Sequence, residues 1–325
     1  MDSGLMIYAK YASARKSDSR VHSSTGRRMV QYLAMKSVFS IIIPTYNRAE
    51  KLCRAIKSVE EQTFRDFELI VCDDGSTDDT RSVVDSFAGR MKVTYLWEKN
   101  WGGPARPRNN GIHAAQGEWL CFLDADDWWY PEKLKVAARY LSASDIIYHD
   151  LDKYPPRALP IRRRIRGRQL MPPAFVDLMV NGYAICNSSV AVRKRIVIEA
   201  GGFSEDKSLL AVEDFDLWLK IARLTERFTY IPRSLGAYWC GEDSITEVSD
   251  QQIKRIKTVF AKHACYLSND AKEQSELLSC FIIAKIKQQM GLFDEALNLF
   301  RMTAKMRHLR FKLNSLAMIL LLHCR

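Results

Sequence analysis

Phe67-Glu68-Leu69-Ile70-Val71-Cys72-Asp73-Asp74-Gly75-Ser76-Thr77-Asp78 is the stretch whose reading decides the fold. An almost continuous apolar run stops abruptly in two carboxylates, a glycine and a series of helix-capping side chains. A strand apolar on both faces belongs in a parallel sheet covered on both sides. Gly75 permits a tight turn, and Ser76, Thr77 or Asp78 can cap the helix that follows.

The same unit repeats outward from this stretch. Strand-like runs occur at Val38–Ile43, Val93–Trp97, Trp119–Leu123 and Ile146–Tyr148. Helical stretches fall between them, at Ala49–Gln62, Asp78–Ala88, Pro104–Gln116 and Pro131–Leu141. Such alternation predicts an α/β fold with a mostly parallel sheet flanked by helices. Ligands of these folds gather at the carboxyl ends of the strands. Residues 150–182 break the pattern with prolines and with Arg157, Arg162, Arg163, Arg164, Arg166 and Arg168, and predict a long loop. Apolar pattern returns at Ala184–Val192, followed by helices at Arg195–Ala200 and near Glu213–Leu224. Beyond Ser249 the spacing of Leu277, Leu278, Phe281 and Ile282, then Leu292, Ala296, Leu297 and Phe300, predicts amphipathic helices. The expected division is a disordered basic tail at 1–36, a catalytic α/β domain at 37–248 and a helical region at 249–325.

Composition narrows the class. The 325 residues are 47% hydrophobic and 27% charged, ordinary globular usage. A net charge of +11 suits acidic partners such as a phosphorylated substrate or an anionic membrane surface. Nucleic acid has only that charge in its favour and is not expected. The eight cysteines form no C-x-x-C pair, and several sit inside apolar runs, so reduced, buried thiols are expected. Residues 1–36 hold no continuous apolar segment, and Leu316–Leu322 falls short of the roughly 20 residues a spanning helix needs. A cytoplasmic chain that does not cross a bilayer is expected.

The polar motifs stand at strand ends. Pro44-Thr45-Tyr46-Asn47 offers the flat face of Tyr46 for stacking. Asp73-Asp74 can accept an imide N–H, or can simply favour the following helix N-terminus. Asn100-Trp101-Gly102-Gly103 leads into Arg106, Arg108 and Gly111, a glycine-rich turn able to hold phosphate through backbone N–H groups and guanidinium charge. Asp124-Ala125-Asp126-Asp127 crowds three carboxylates behind a buried run, which raises their pKa values or recruits a hard cation such as Mg2+ or Mn2+. Glu213-Asp214-Phe215-Asp216-Leu217-Trp218 either balances a helix dipole or supplies a general base.

Taken in order, Ile41-Ile42-Ile43-Pro44-Thr45-Tyr46-Asn47, Asp73-Asp74-Gly75-Ser76-Thr77-Asp78, Arg108-Asn109-x-Gly111, Leu123-Asp124-Ala125-Asp126-Asp127, Gly201-Gly202-Phe203 and Glu213-Asp214-x-Asp216-Leu217-Trp218 resemble the bacterial type of family 2 glycosyltransferase, over about residues 37–240. The resemblance implies an inverting enzyme of GT-A fold that moves a sugar from a UDP-sugar to a hydroxyl of a saccharide or lipid-linked saccharide. By the resemblance, Pro44, Thr45 and Tyr46 line the nucleoside pocket, Asp74 holds the uracil, and Arg108 assists base or diphosphate. Asp124 lies near the ribose and Asp126 on Mn2+ or Mg2+, with Asp127 the lesser candidate ligand. Asp214 is the catalytic base, and Glu213 and Trp218 shape the acceptor site. It implies further that Asp74, Asp126 and Asp214 serve one diphosphate-bearing substrate. One departure stands out: Gly236-Ala237-Tyr238-Trp239-Cys240-Gly241-Glu242-Asp243-Ser244 lacks the histidine that many relatives carry there, and Tyr238 or Trp239 would take its place.

Two basic regions bear on the acceptor. The arginines of 157–168 can meet phosphorylated glycolipid or stand as a solvated loop. Lys305, Arg307, His308, Arg310 and Lys312, followed by Leu316–Leu322, read as a surface-lying anchor at the inner face of the membrane or as a helix that packs back on the protein. A sugar-1-phosphate nucleotidyltransferase, the competing enzyme, should carry G-x-G-T-R after strand one, and Pro44–Arg48 has none. A non-catalytic nucleotide-sugar-binding module is the other alternative.

Overall fold

The computed structural model describes residues 37–155, 164–241 and 248–323. The basic tail expected at 1–36, Arg157, Arg162 and Arg163 of the basic cluster, and Glu242, Asp243 and Ser244 lie outside these described residues. The chain divides into two units interleaved along the sequence. The first runs to Gly167 and adds Cys186–Glu199 and Arg227–Trp239; the second comprises Arg168–Ile185, Ala200–Glu226 and the chain from Cys240 onward.

The first unit holds the whole sheet. Strand β1 (Phe39–Thr45) is buried throughout and lies parallel to β2 (Phe67–Asp73) on one side and β4 (Trp119–Phe122) on the other, with β3 (Val93–Trp97) parallel beyond β2. Their unbroken apolar content follows from cover on both faces. Helix α1 (Ala49–Glu60) supplies one cover, burying Leu52, Ala55, Ile56 and Val59 at helical spacing. Helices α2 (Thr80–Asp85) and α3 (Ala105–Ala114) complete the parallel crossovers. At Gly111 of α3 an added Cβ would come within 2.6 Å of the Ile42 side chain, so glycine lets the helix sit directly on β1.

Past β4 the sheet changes character. Strand β5 (Trp128–Trp129), helix α4 (Lys133–Ala137), β6 (Ile146–Tyr154), β7 (Arg164–Ile165), β8 (Ala191–Arg193) and β9 (Phe228–Trp239) complete the order β3-β2-β1-β4-β8-β6-β9-β5, with β7 against β6. β8 runs antiparallel to both β4 and β6, while β6 and β9 are parallel. The sheet is therefore mixed, and parallel in its β3-β2-β1-β4 half.

The structure also corrects the long loop expected at 150–182. β6 continues to Tyr154, β7 lies within the stretch, and helix α5 (Ala174–Asn181) follows in the second unit. The polar residues that look like loop are strand residues with partners. Asp150 accepts hydrogen bonds from Tyr230 Oη (2.7 Å) and the Gly167 N–H (2.9 Å). Asp152 accepts from Tyr130 Oη (2.9 Å), Ser234 Oγ (2.8 Å) and Arg164 Nε (2.9 Å).

After α6 (Lys194–Glu199) of the first unit, the second unit continues with α7 (Glu213–Ala222), α8 (Asp250–His263), α9 (Asn269–Gln289), α10 (Phe293–Thr303) and α11 (Leu309–His323). Ser249 and Ser268 cap α8 and α9 by accepting from the Gln252 and Ala271 N–H groups. α9 packs on α5 and α10, and Phe311 of α11 meets Phe281 of α9 with ring centroids 5.1 Å apart.

Candidate active site at the carboxyl edge of the sheet

Register places the motifs together within the first unit. Thr45 pairs with Asp73 and Ile42 with Phe122, so the chain leaves β1, β2 and β4 along one edge. The turns after β1 and β2 are sewn to each other. Asn47, at φ 48°, donates its N–H to Ser76 Oγ (2.8 Å) and accepts the Thr77 N–H on Oδ1 (2.8 Å). Asp78 accepts the Ala49 N–H at 3.0 Å. Tyr46, between these ties, keeps 47% of its surface exposed, whereas Thr45 is buried. Thr45 Oγ1 is enclosed with no hydrogen-bond partner among the described residues.

Asp73 and Asp74 divide the work at the end of β2. Asp73 takes the Ser76 N–H (2.8 Å) and Tyr95 Oη (2.5 Å). Asp74 takes the N–H groups of Trp101 (2.8 Å), Gly102 (2.9 Å) and Gly103 (3.2 Å). The glycine-rich turn therefore points these three amides at a carboxylate of its own chain. Gly75, at φ +85°, is needed because a Cβ there would come within 2.6 Å of the Asn100 nitrogen.

Behind β4 the acidic cluster is held by arginines. Arg108, 4% exposed, donates to Asp124 Oδ1 at 2.6 Å, and Asn187 Nδ2 reaches the same oxygen at 3.2 Å. The Asp124 N–H donates to Ser188 Oγ at 3.1 Å. Arg48 meets Asp126 Oδ2 at 2.5 Å, and Arg54 donates to the Asp126 carbonyl at 2.7 Å. Asp127 is buried and accepts the Trp239 N–H at 2.8 Å, which fastens this turn to the end of β9. Burial, then the neighbouring Asp124, push the Asp126 carboxyl above the usual carboxylate range, and Arg48 opposes them. Burial raises Asp127 further, with Asp124 and Asp126 adding to it.

This donor set suits a hard divalent cation. The site gathers carboxylate oxygens and already draws guanidinium charge to each of Asp124 and Asp126. Among the described residues no three His, Cys, Asp or Glu side chains converge as a metal cage. Mg2+ and its relatives are characteristically bound by one or two carboxylates together with substrate phosphates, so a carboxylate pair is sufficient.

The second unit carries the remaining candidates on α7. Glu213, Asp214 and Asp216 occupy its first turn, where carboxylates complement the helix dipole. Asp214 accepts the Phe215 N–H at 2.7 Å and is half-buried; Glu213 is buried. Trp218 is buried too, edge-on to Phe203 with centroids 6.5 Å apart. Asp216, fully buried, is an anchor: His263 Nε2 lies at 2.9 Å and the Lys262 and Lys220 ammonium groups at 2.8 and 3.3 Å.

The structure thus brings Pro44, Thr45, Tyr46, Asp74, Arg108, Asp124 and Asp126 to one edge of the first unit, and Glu213, Asp214 and Trp218 to one helix of the second. Arg48, Arg54, Asn187 and Ser188 were missed by sequence reasoning. Arg48 adjoins the Pro44–Asn47 turn, the one local signal available; Asn187 and Ser188 have none.

Comparison with known proteins bears on the fold and the family. Residues 40–199 match the model of Glycosyl transferase family 2. The poly(ribitol-phosphate) beta-N-acetylglucosaminyltransferase TarS of Staphylococcus aureus is 37% identical over 128 residues, 38% of this chain and 22% of that protein. The chain thus spans about a fifth of the length of the first curated relatives it matches. The structure of S. aureus TarS 1-349 with UDP-GlcNAc superposes with TM-score 0.60 at 20% identity, over 81% of this chain and 80% of that one. A mannosyltransferase from Pyrobaculum calidifontis in complex with GDP-Man and Mn2+ gives TM-score 0.59 at 17% identity, over 99% and 88%. These likenesses identify the fold as GT-A-like, and over residues 40–199 the sequence is similar to Glycosyl transferase family 2.

Proposed function

We propose that the chain is an inverting glycosyltransferase that moves a sugar from a UDP-sugar to a hydroxyl of a saccharide or lipid-linked saccharide in cell-surface polysaccharide synthesis. The observation that carries this reading is the Asp124–Asp126 pair, held by Arg108 and Arg48 beside the linked turns of Tyr46 and Asp74. The relatives named above, one with UDP-GlcNAc and one with GDP-Man and Mn2+, support the donor class.

In this reading the exposed ring of Tyr46 stacks on the base, over the floor made by Pro44 and Thr45. Asp74 keeps lone pairs beyond those used by the glycine-rich turn, since each carboxylate oxygen accepts more than one donor, and takes the uracil N–H. Asp124, fixed by Arg108 and Asn187, faces the ribose. Asp126 would hold Mn2+ or Mg2+, which when bound supplies positive charge against the departing diphosphate. Arg48, now on Asp126 Oδ2, would exchange that oxygen for one of the diphosphate. Asp214 takes the proton of the attacking hydroxyl, with Glu213 and Trp218 shaping the acceptor side. Attack from the face opposite the diphosphate inverts the anomeric carbon in one displacement.

We assign the acceptor side to an anionic membrane surface at the cytoplasmic face. No helix among the described residues is long and apolar enough to cross a membrane. α11 instead turns Phe311 and Ser315 toward its own unit and exposes Leu309, Leu313, Leu316, Leu320 and Leu321, with Arg307, Arg310 and Lys312 alongside. A leucine stripe flanked by cations and free of carboxylates fits an interfacial helix. Flotation with anionic liposomes at low salt tests it; a protein that stays at the bottom of the gradient rejects the membrane assignment. Thermal shift with UDP-GlcNAc, UDP-glucose and GDP-mannose, with and without Mn2+, tests the donor. A Mn2+-dependent shift with a UDP-sugar is expected, and no shift with any of the three would reject the reading.

A further inference from the structure

We propose that Lys51, Arg54, Trp128, Tyr154 and Trp239 form a subsite for an acceptor that combines a sugar or polyol face with a phosphodiester; this rests on the transferase reading and names the acceptor's chemistry. The residues come from α1 and from the ends of β5, β6 and β9, all within the first unit. Tyr154 and Trp239 are register partners, and their rings stack at 5.9 Å with a 30° tilt. Trp128 meets Tyr154 edge-on at 5.1 Å. The Arg54 guanidinium lies 4.1 Å from the Trp128 centroid and 5.1 Å from that of Trp239, and the Lys51 ammonium lies 5.1 Å from Trp239.

Three features argue for a ligand rather than a mere aromatic clasp at the sheet end. First, the rings are not buried: Tyr154 is 45% exposed, and Trp128 and Trp239 are half-buried. Rings that served packing alone would be enclosed, as Trp129 is. Second, Arg54 spends a donor on the Asp126 carbonyl, not on a carboxylate, and rests on ring faces, so its charge stays available to an anion. Third, that same bond puts the cluster against the backbone of Asp126, where the proposed transfer takes place.

The chemistry of the cluster defines the ligand. The C–H face of a sugar or polyol packs on exposed aromatic rings, while Arg54 attracts a negative group. A neutral glycan would leave the Arg54 charge unused, and a bare phosphate would leave the rings unused. A phosphodiester-linked sugar or polyol uses both.

Calorimetric titration of the full chain tests the assignment with four probes: a synthetic ribitol-phosphate tetramer, cellotetraose, inorganic phosphate, and UDP with Mn2+. The tetramer is expected to bind at least about tenfold more tightly than cellotetraose or phosphate. Tyr154→Ala should weaken the tetramer by about tenfold while leaving UDP binding as in the wild type, and Arg54→Gln should weaken the tetramer by a similar factor. Tyr154→Phe, which keeps the ring, should bind like the wild type. Tyr154 is exposed, so its truncation spares the fold. Equal binding of tetramer and cellotetraose, or of tetramer and phosphate, would overturn the subsite, as would unaltered tetramer binding in both truncations. A wild type that binds UDP and ignores the tetramer also overturns it. A wild type that binds the tetramer and ignores UDP leaves the subsite standing and rejects the donor reading instead.

Discussion

Arg48, at the entrance to α1, and Asp126, behind β4, meet across 78 residues of sequence at 2.5 Å. The contact joins the turn after the first strand to the carboxylate proposed to hold a divalent cation. It also neutralises a group that burial and Asp124 push toward protonation. In the proposed reading, the guanidinium and a metal ion would compete for one oxygen.

Competition of this kind has a sign that can be measured. Arg48→Met should bind Mn2+ more tightly in the absence of nucleotide, by about three- to tenfold, because no guanidinium must first be displaced. Free Mn2+ measured by electron paramagnetic resonance reports it directly. Weaker Mn2+ binding in Arg48→Met would show that the arginine supports the cation site and does not compete for it.

Arg108 is the buried partner of a second pair, with Asp124 about one-third exposed. Removing the carboxylate takes the ion-pair partner from a buried cation. Asp124→Ala should cost about 2 kcal/mol, below the roughly 3–5 kcal/mol of breaking a fully buried pair because Asp124 is partly solvated. Adding Arg108→Met should restore part of the loss, since an apolar side chain needs no counter-charge. Urea unfolding of the single and double variants decides between them; a double variant less stable than Asp124→Ala would contradict the pairing argument.

His149 sets a pH dependence for the first unit. Burial and the nearby Lys133 push its imidazole down to about 3, against the Asp150 carbonyl that accepts from Nδ1 at 2.7 Å. A ring neutral in the folded chain and titrating near 6.5 when unfolded leaves the unfolded chain binding the extra proton. Stability should therefore be complete above about pH 6.5 and fall below it, by up to about 1.4 kcal/mol per pH unit. His149→Leu should flatten the decline between about pH 7 and pH 5 in a melting-temperature series. An unaltered decline in that variant would place the titration elsewhere.

Much of the first unit was legible because β1, β2 and β4 are apolar on both faces and end in polar turns. The end of β6 and the whole of β9 were not. Asp150 and Asp152 interrupt the one and Pro232 the other, and their roles appear only once Tyr230, Ser234 and Tyr130 are seen across the strands. Between His149/Ile231 and Asp150/Ser234 the register shifts, which accommodates a proline without a ladder N–H. The candidate site shows the same limit. Strand-end carboxylates can be located from sequence, but what holds them cannot: Asn187 reaches Asp124 from 63 residues away, and the glycine-rich turn proves to be clasped by Asp74. Asp216, which sits in the same acidic run as Asp214, is an internal anchor, a distinction visible only from the cations packed around it.

UDP release from a UDP-sugar in the presence of Mn2+ and acceptor, measured for the wild type, Asp126→Asn and Asp214→Asn alongside UDP binding, tests the central claim most directly. Asp214→Asn should lower turnover by about 10²–10⁴-fold with UDP binding intact, as loss of a general base requires, and Asp126→Asn should lower both turnover and Mn2+-dependent binding. Turnover by Asp214→Asn at the rate of the wild type would contradict the account.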